Sequence, residues 1–348
     1  MTEGGASVGG YVRSGVAAGL IRLDLNEAAR EITRPFRDRV LELLAAGSWR
    51  RYPEIDGRAT RAAAADLYGW SVAGTLAGNG SNDLLAAAAR ALLPRGGAVA
   101  ALSPSFSMYP VLARRQEARL LAVRLGPPDF MPAREEMLAA AAAADLVLLC
   151  SPNNPTGGEI TAAIWTEVLA LGKPTIWDAA YAEFAGTDTI PWLRRHPNLL
   201  VLRSLSKAWG LAGMRVGALL GAPDLLELVA AQLLPFGTGW MVAAAYQAAS
   251  ELRALGAELV AEIVAERERQ VSALERFEGV EVAPSAANFY LLRRPGLTGT
   301  QLAEALAARG IAVRDIPELN ESGHVRVTVG TTAEGDLLLA AVTEVCGV

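Results

Sequence analysis

Five apolar residues in a row, Leu146-Val147-Leu148-Leu149-Cys150, leave no polar face. A short segment that is apolar on both sides predicts a central strand of a parallel sheet. Thr175-Ile176-Trp177, Leu199–Leu202 and Val216–Leu220 repeat the pattern, and Thr75-Leu76-Ala77, Val99–Leu102 and Arg119–Leu125 are further strand candidates. Between them lie helical stretches at about 84–93 and 133–144 and one beginning after Thr161, a suitable N-cap. Such alternation predicts an α/β fold, a mostly parallel sheet with helices on both faces. From about Ala243 the texture changes: helices at 243–254 and 257–277, strands near 280–282 and 288–292, a helix at 300–308, strands at 311–314 and 324–329, then a final helix. The expected organisation is a loosely ordered arm over the first 20 to 30 residues, a large domain over 31–242 and a smaller α+β domain over 243–348.

The chain has 348 residues, 52% of them apolar. That is enough to build a large core without disulfides or metals. A net charge of −5 provides no basic footprint for nucleic acid. Cys150 and Cys346 lie far apart in apolar contexts, which suits a reducing compartment. The first fifteen residues lack a basic segment followed by a long apolar run, so no signal peptide is expected. No uncharged apolar stretch reaches the roughly 18 residues of a spanning helix, and the expected location is cytoplasmic. With two histidines, a multi-histidine metal site is not expected and there is little room for a Ser-His-Asp triad. Of 32 basic residues only two are lysines, Lys173 and Lys207. Chemistry that needs an amine side chain therefore has two candidates.

In an open α/β sheet, ligands sit at the carboxyl ends of the strands. The polar clusters GNGSND, SPSF, SPNNPTG, DAAY and RSLSK fall at those ends. Lys207 in RSLSKAWGLAGMRVG is either a surface lysine or a desolvated amine able to react with an aldehyde. Lys173 sits in a loop at the opposite end of the sheet and reads as a solvated charge. Ser204, Ser206 and Arg215 around Lys207 suit a phosphate. So do the amides at Ser81-Asn82, where a glycine-rich turn enters a helix. Asn154 can donate to a ligand oxygen, or simply build a turn. Asp178 is a helix N-cap or the partner of a cation such as a protonated pyridine nitrogen. Phe106 either stacks on a ring or packs in the core.

Asn154, Asp178, Tyr181, Lys207 and Arg215 follow one another at successive strand ends. With SPNNPTG, DAAYAEF and RSLSKAWGLAGMRVG, they make the chain resemble the fold-type I pyridoxal-phosphate aminotransferases from about residue 22 onward. Arg51-Tyr52-Pro53, GNGSNDLL, SPSFSMY, Asn288-Phe289 and RVTVGT resemble the histidinol-phosphate branch of that family. The resemblance implies a three-layer α/β sandwich and pyridoxal 5′-phosphate as cofactor. It implies that Lys207 forms the internal aldimine and then acts as general base. Asp178 would pair with the pyridine nitrogen, Asn154 and Tyr181 would bind the phenolic oxygen, and Phe106 would stack on the ring. Ser81, Asn82, Ser204, Ser206 and Arg215 would hold the cofactor phosphate, joined by Tyr52 from the other subunit of a homodimer. Arg326 would clamp the substrate α-carboxylate. Arg314 and Asn26 would complete the substrate site, with Arg314 on a substrate phosphate. The partners implied are a small amino donor and a 2-oxo acid, with no metal, nucleic acid or membrane.

Two segments depart from the family pattern. Leu25-Asn26-Glu27-Ala28-Ala29-Arg30 lacks the aromatic that usually follows the acid, and PFGTGWMV carries Trp240 and Met241. Those two side chains either line the pocket, which would favour aromatic substrates, or pack at a helix start. Arg30, Arg34 and Arg37 either replace phosphate contacts or form a solvated face. The resemblance therefore implies transamination of histidinol phosphate with 2-oxoglutarate. The alternatives are an aromatic or broad-specificity aminotransferase and a threonine-phosphate decarboxylase. A ligand-sensing module without turnover is a third class, against which the acidic charge and the absence of a DNA-binding segment both speak.

Overall fold

The computed structural model describes residues 6–8, 11–13 and 19–347. Most of the expected N-terminal arm lies outside the described residues; of it, Ala6–Val8 pairs antiparallel with Tyr11–Arg13. The centre of the molecule is a seven-stranded sheet. Its order is Thr75–Asn79, Val216–Gly221, Leu199–Ser204, Thr175–Asp178, Leu146–Cys150, Ala98–Ser103 and Arg119–Arg124. Val216–Gly221 runs antiparallel to both neighbours, and the other pairs are parallel.

The unbroken apolar runs follow from burial on two faces. Val147, Leu149, Trp177, Leu199 and Val201 enter one apolar cluster. Their alternating neighbours Leu146, Leu148, Ile176, Leu200 and Leu202 enter another on the opposite face. Side chains of a strand alternate, so both faces must be covered by helices. Ser81–Leu92 and Pro223–Ala230 bury residues in the second cluster; Arg34–Ala46, Arg58–Tyr68, Ala162–Ala170 and Trp240–Glu251 do so in the first. This is the expected three-layer α/β sandwich. Thr161 caps its helix, its hydroxyl accepting the Ile164 amide at 3.4 Å.

A second sheet has the order Glu281–Val282, Phe289–Arg293, His324–Thr328, Ile311–Asp315 and Ile21–Leu23. Its four C-terminal strands are antiparallel, and Ile21–Leu23 joins the edge in parallel register with Ile311–Val313. Thr298 with Gln301 and Thr331 with Glu334 form capping boxes that start Gly299–Ala307 and Thr332–Cys346. The 22-residue helix Arg253–Leu274 spans the two cores: Leu259 packs against the large-sheet cluster, and Leu274 is buried in the cluster of the second sheet. Among the described residues no helix is long and apolar enough to cross a membrane.

Candidate active site

A cleft of about 270 Å³ opens at the carboxyl ends of the large sheet, against the strands Ile311–Asp315 and His324–Thr328 of the second sheet. Its walls include Asn26, Ser81, Asn82, Phe106, Asn154, Asp178, Tyr181, Ser204, Ser206, Lys207, Arg215, Arg314 and Arg326. Thus every site residue expected from the sequence, Tyr52 apart, lines one cavity. Tyr52 is 80% exposed and packs its ring on Phe236 with centroids 4.9 Å apart.

Lys207 follows the strand Leu199–Ser204, and the turn after it carries its amine into the cleft. Its Nζ donates to the carbonyls of Leu25 at 3.1 Å and Asn26 at 3.0 Å. Burial, assisted by the positive charge of Arg326, pushes this amine down to about 8. A neutral amine is therefore accessible near neutral pH.

Asp178 ends the neighbouring strand and is 6% exposed. Its Oδ2 accepts the Tyr109 hydroxyl at 3.0 Å, and its Oδ1 accepts the Ala180 amide at 3.3 Å. Burial pushes the carboxyl up to about 6, while the Tyr109 hydroxyl, the Ala180 amide and the charge of Lys207 pull it back. Asp178 thus has two fixed donors and a cation nearby, but no ion pair of its own among the described residues. It suits a cationic partner in the cleft.

The phosphate candidates converge where the sheet meets Ser81–Leu92. The N-cap of that helix is Gly80, which makes no side-chain cap, so first-turn amides remain for an anion. A Cβ on Gly80, at φ +85°, would come within 2.6 Å of Arg215 Nη2. A Cβ on Gly217 would come within 2.3 Å of the Ser81 amide nitrogen. Only glycine lets these donors crowd together. The Ser204 hydroxyl accepts the Ser206 amide at 3.1 Å, and both side chains stand beside the cradle.

Opposite, Arg326 projects from His324–Thr328 of the second sheet. Its Nη1 donates to Asn154 Oδ1 at 2.5 Å and its Nη2 to the Asp24 carbonyl at 2.7 Å. The guanidinium also lies 5.4 Å from the centre of the Phe289 ring. Asn26, at φ 53°, ties the chain's start to this wall. Its amide donates to Thr328 Oγ1 at 2.9 Å, and its Nδ2 donates to the Tyr181 hydroxyl at 3.0 Å. Asn288 Nδ2 donates to the Asn26 carbonyl at 3.2 Å. Arg314 stands half-buried at the mouth.

Trp240 and Met241 behave as neither sequence reading foresees. They are 39% and 48% exposed and do not line this chain's cleft. Arg30 and Arg37 pair with Glu262 and Glu31 on the surface, and Arg34 pairs with Asp38, as a solvated face requires. Tyr109, Thr328 and the carbonyl of Asp24 were not singled out in the sequence. Tyr109 stands next to the buried run Val111, Leu112 and Ala113 and reads as core; its one signal is its place three residues after Phe106.

An amine held partly neutral, a buried carboxylate that makes no ion pair among the described residues and an anion cradle at the strand ends define a pyridoxal-phosphate site of the aminotransferase kind. The chain belongs to the class I and II aminotransferases, whose family model matches residues 18–342. Its cofactor is pyridoxal 5′-phosphate, and the donor set described above fits that group. A histidinol-phosphate aminotransferase of Thermococcus gammatolerans is 36% identical, the match covering 94% of this chain and 92% of the relative. The solved histidinol-phosphate aminotransferase of Sinorhizobium meliloti in complex with pyridoxal-5′-phosphate superposes with a TM-score of 0.82 at 27% identity, covering 94% of this chain and 91% of that one. That of Clostridium acetobutylicum, at 21% identity, shares the fold with a TM-score of 0.85, covering 94% and 99%.

Proposed function

We propose that this aminotransferase exchanges the amino group of histidinol phosphate with 2-oxoglutarate, a step of histidine biosynthesis. The observation that carries the proposal is the pairing, across one cleft, of Lys207 and Asp178 on one wall with Arg314 and Arg326 on the other. The names of the relatives supply the substrate. Once bound, pyridoxal phosphate supplies a protonated ring that takes up the electron pair released at the substrate's α-carbon.

The chain's own residues do the rest. Asp178, ionised above about pH 6, keeps the pyridine nitrogen protonated. Asn154 and Tyr181 bind the ring oxygen and Phe106 covers the ring face. Ser81, Asn82, Ser204, Ser206 and Arg215 hold the cofactor phosphate. The Lys207 amine, held at the Leu25 and Asn26 carbonyls, is the group that would hold the cofactor's aldehyde. The same amine, neutral above about pH 8, would be the general base that moves the proton away from the substrate's α-carbon. Arg326 grips the α-carboxylate with two parallel donors, Asn26 fixes that corner, and Arg314 meets the substrate's phosphate.

We further infer a cytoplasmic homodimer. Trp49, Tyr52, Ile55, Leu234, Phe236, Trp240 and Met241 are exposed on two adjoining segments, joined by the Tyr52–Phe236 ring contact and by the Phe236 amide donating to the Ile55 carbonyl at 3.3 Å. Apolar patches of this kind call for a partner. A second copy would cover this one and bring its own Tyr52 to the cofactor phosphate. Both cysteines are free thiols, in keeping with a reducing compartment. In the same reading the chain divides into a cofactor-binding domain and a smaller C-terminal one, with Trp240–Glu251 packed on the former.

The test is a comparison of kcat/KM for histidinol phosphate and for phenylalanine, each with 2-oxoglutarate. At least about a tenfold advantage for histidinol phosphate is expected, since a phosphate-binding guanidinium left without its partner costs that much. A preference for phenylalanine would overturn the assignment in favour of an aromatic aminotransferase.

A further inference from the structure

Tyr109 belongs to the helix Met108–Arg115 and is 1% exposed. Its ring meets Phe106 edge-on, with centroids 5.7 Å apart and planes at 88°. Its hydroxyl donates to Asp178 Oδ2 at 3.0 Å. The other carboxylate oxygen accepts the Ala180 amide at 3.3 Å. Tyr109 is therefore the side chain that fixes the second oxygen of the buried Asp178 at the floor of the cleft.

We propose that Tyr109 is a positioning residue for the cofactor: its hydroxyl keeps Asp178 ionised and aimed, and so sets the strength of the grip on a protonated pyridine nitrogen. This rests on the role given to Asp178 above. The titratable groups that face Asp178 are Tyr109, Cys150, Tyr181 and Lys207. Burial pushes the Tyr109, Cys150 and Tyr181 groups up, so they stand neutral beside the carboxylate. Lys207 is the cation among them, and it is the group the cofactor's aldehyde occupies. Once the amine is so engaged, the Tyr109 hydroxyl and the Ala180 amide are the donors left to favour the ionised form. A carboxylate oxygen that loses its donor in a buried site shifts toward the protonated acid, and a protonated acid cannot pair with a cation. The contribution of Asp178 to cofactor affinity is then present above its pKa and is lost as pH falls through it. Removing the hydroxyl raises that pKa and moves the loss to higher pH.

The experiment titrates the full chain, stripped of cofactor, with pyridoxal 5′-phosphate between pH 5 and 8.5, and reads the dissociation constant from the absorbance of the bound cofactor. Four proteins are compared: wild type, Tyr109→Phe, Asp178→Asn and the double variant. Tyr109→Phe keeps the ring and its packing, and thermal unfolding checks that it folds. We expect about tenfold weaker binding at pH 7 and a midpoint about one pH unit higher. In the Asp178→Asn background the same substitution should change binding less than twofold. An equal loss in both backgrounds would make Tyr109 merely structural and overturn the proposal, as would wild-type binding by Tyr109→Phe at every pH. Wild-type binding by Asp178→Asn would instead remove the role of Asp178 itself, a different failure with a different signature.

Discussion

Lys207 and Lys173 stand at opposite ends of the same sheet. Lys207 follows its strand, so its side chain enters the cleft, donates to two main-chain carbonyls and is pushed down to about 8. Lys173 precedes the strand Thr175–Asp178. There it is the backbone that is used: its carbonyl accepts Asn198 Nδ2 at 2.9 Å and the Thr175 hydroxyl at 3.0 Å. Side chains that follow parallel strands are gathered at one rim, and those that precede them are delivered to the other. Position relative to the strand therefore distinguishes two residues of identical chemistry.

The contrast can be broken most directly at Lys207 itself. Lys207→Ala should abolish the visible absorbance of bound cofactor and lower turnover by at least about a thousandfold; retention of both would move the amine's role elsewhere. The next largest effect is expected at Arg326. Arg326→Ala should raise KM for both amino donor and oxo acid by about 10- to 100-fold, measured by steady-state kinetics. The same substitution should raise the pKa of Lys207, because the charge of Arg326 is one of the forces holding it down. That pKa can be followed in the cofactor-free chain through the rate at which an amine reagent modifies Lys207. A lowered pKa means the amine is protonated below about pH 8 and neutral above it, so the rate should climb through a midpoint near 8. A midpoint above 10 would show an ordinary solvated lysine. The smallest effect closes the comparison: Lys173→Ala should leave turnover within about twofold and cost under about 0.5 kcal/mol in thermal unfolding.

The large sheet was legible because its strands are buried on both faces, and a run such as Leu146–Cys150 admits few other readings. The cleft was legible for a related reason: in a parallel sheet, the polar cluster after each strand lands beside the next. Two features escaped. Ile21–Leu23 is only three residues long, and its partner strand begins at Ile311, so no local pattern announces the pairing. Tyr109 carries an apolar ring in a helix that buries Val111, Leu112 and Ala113, and only the bond to Asp178 separates it from core. Trp240 and Met241 erred in the other direction. Apolar side chains at a helix start suggest burial, yet these two are left exposed on the surface.

The strand Ile21–Leu23 and the turn at Asn26 also set a clock on the enzyme's birth. Asn26 bonds to Thr328 and Asp24 to Arg326, contacts 302 residues apart. A chain emerging from the ribosome can close its large sheet as soon as Val216–Gly221 is made. It cannot finish its substrate pocket until the last strand has appeared and the beginning of the chain has come back to meet it. Nascent chains should therefore be catalytically silent until His324–Thr328 has been made, however early their main sheet folds.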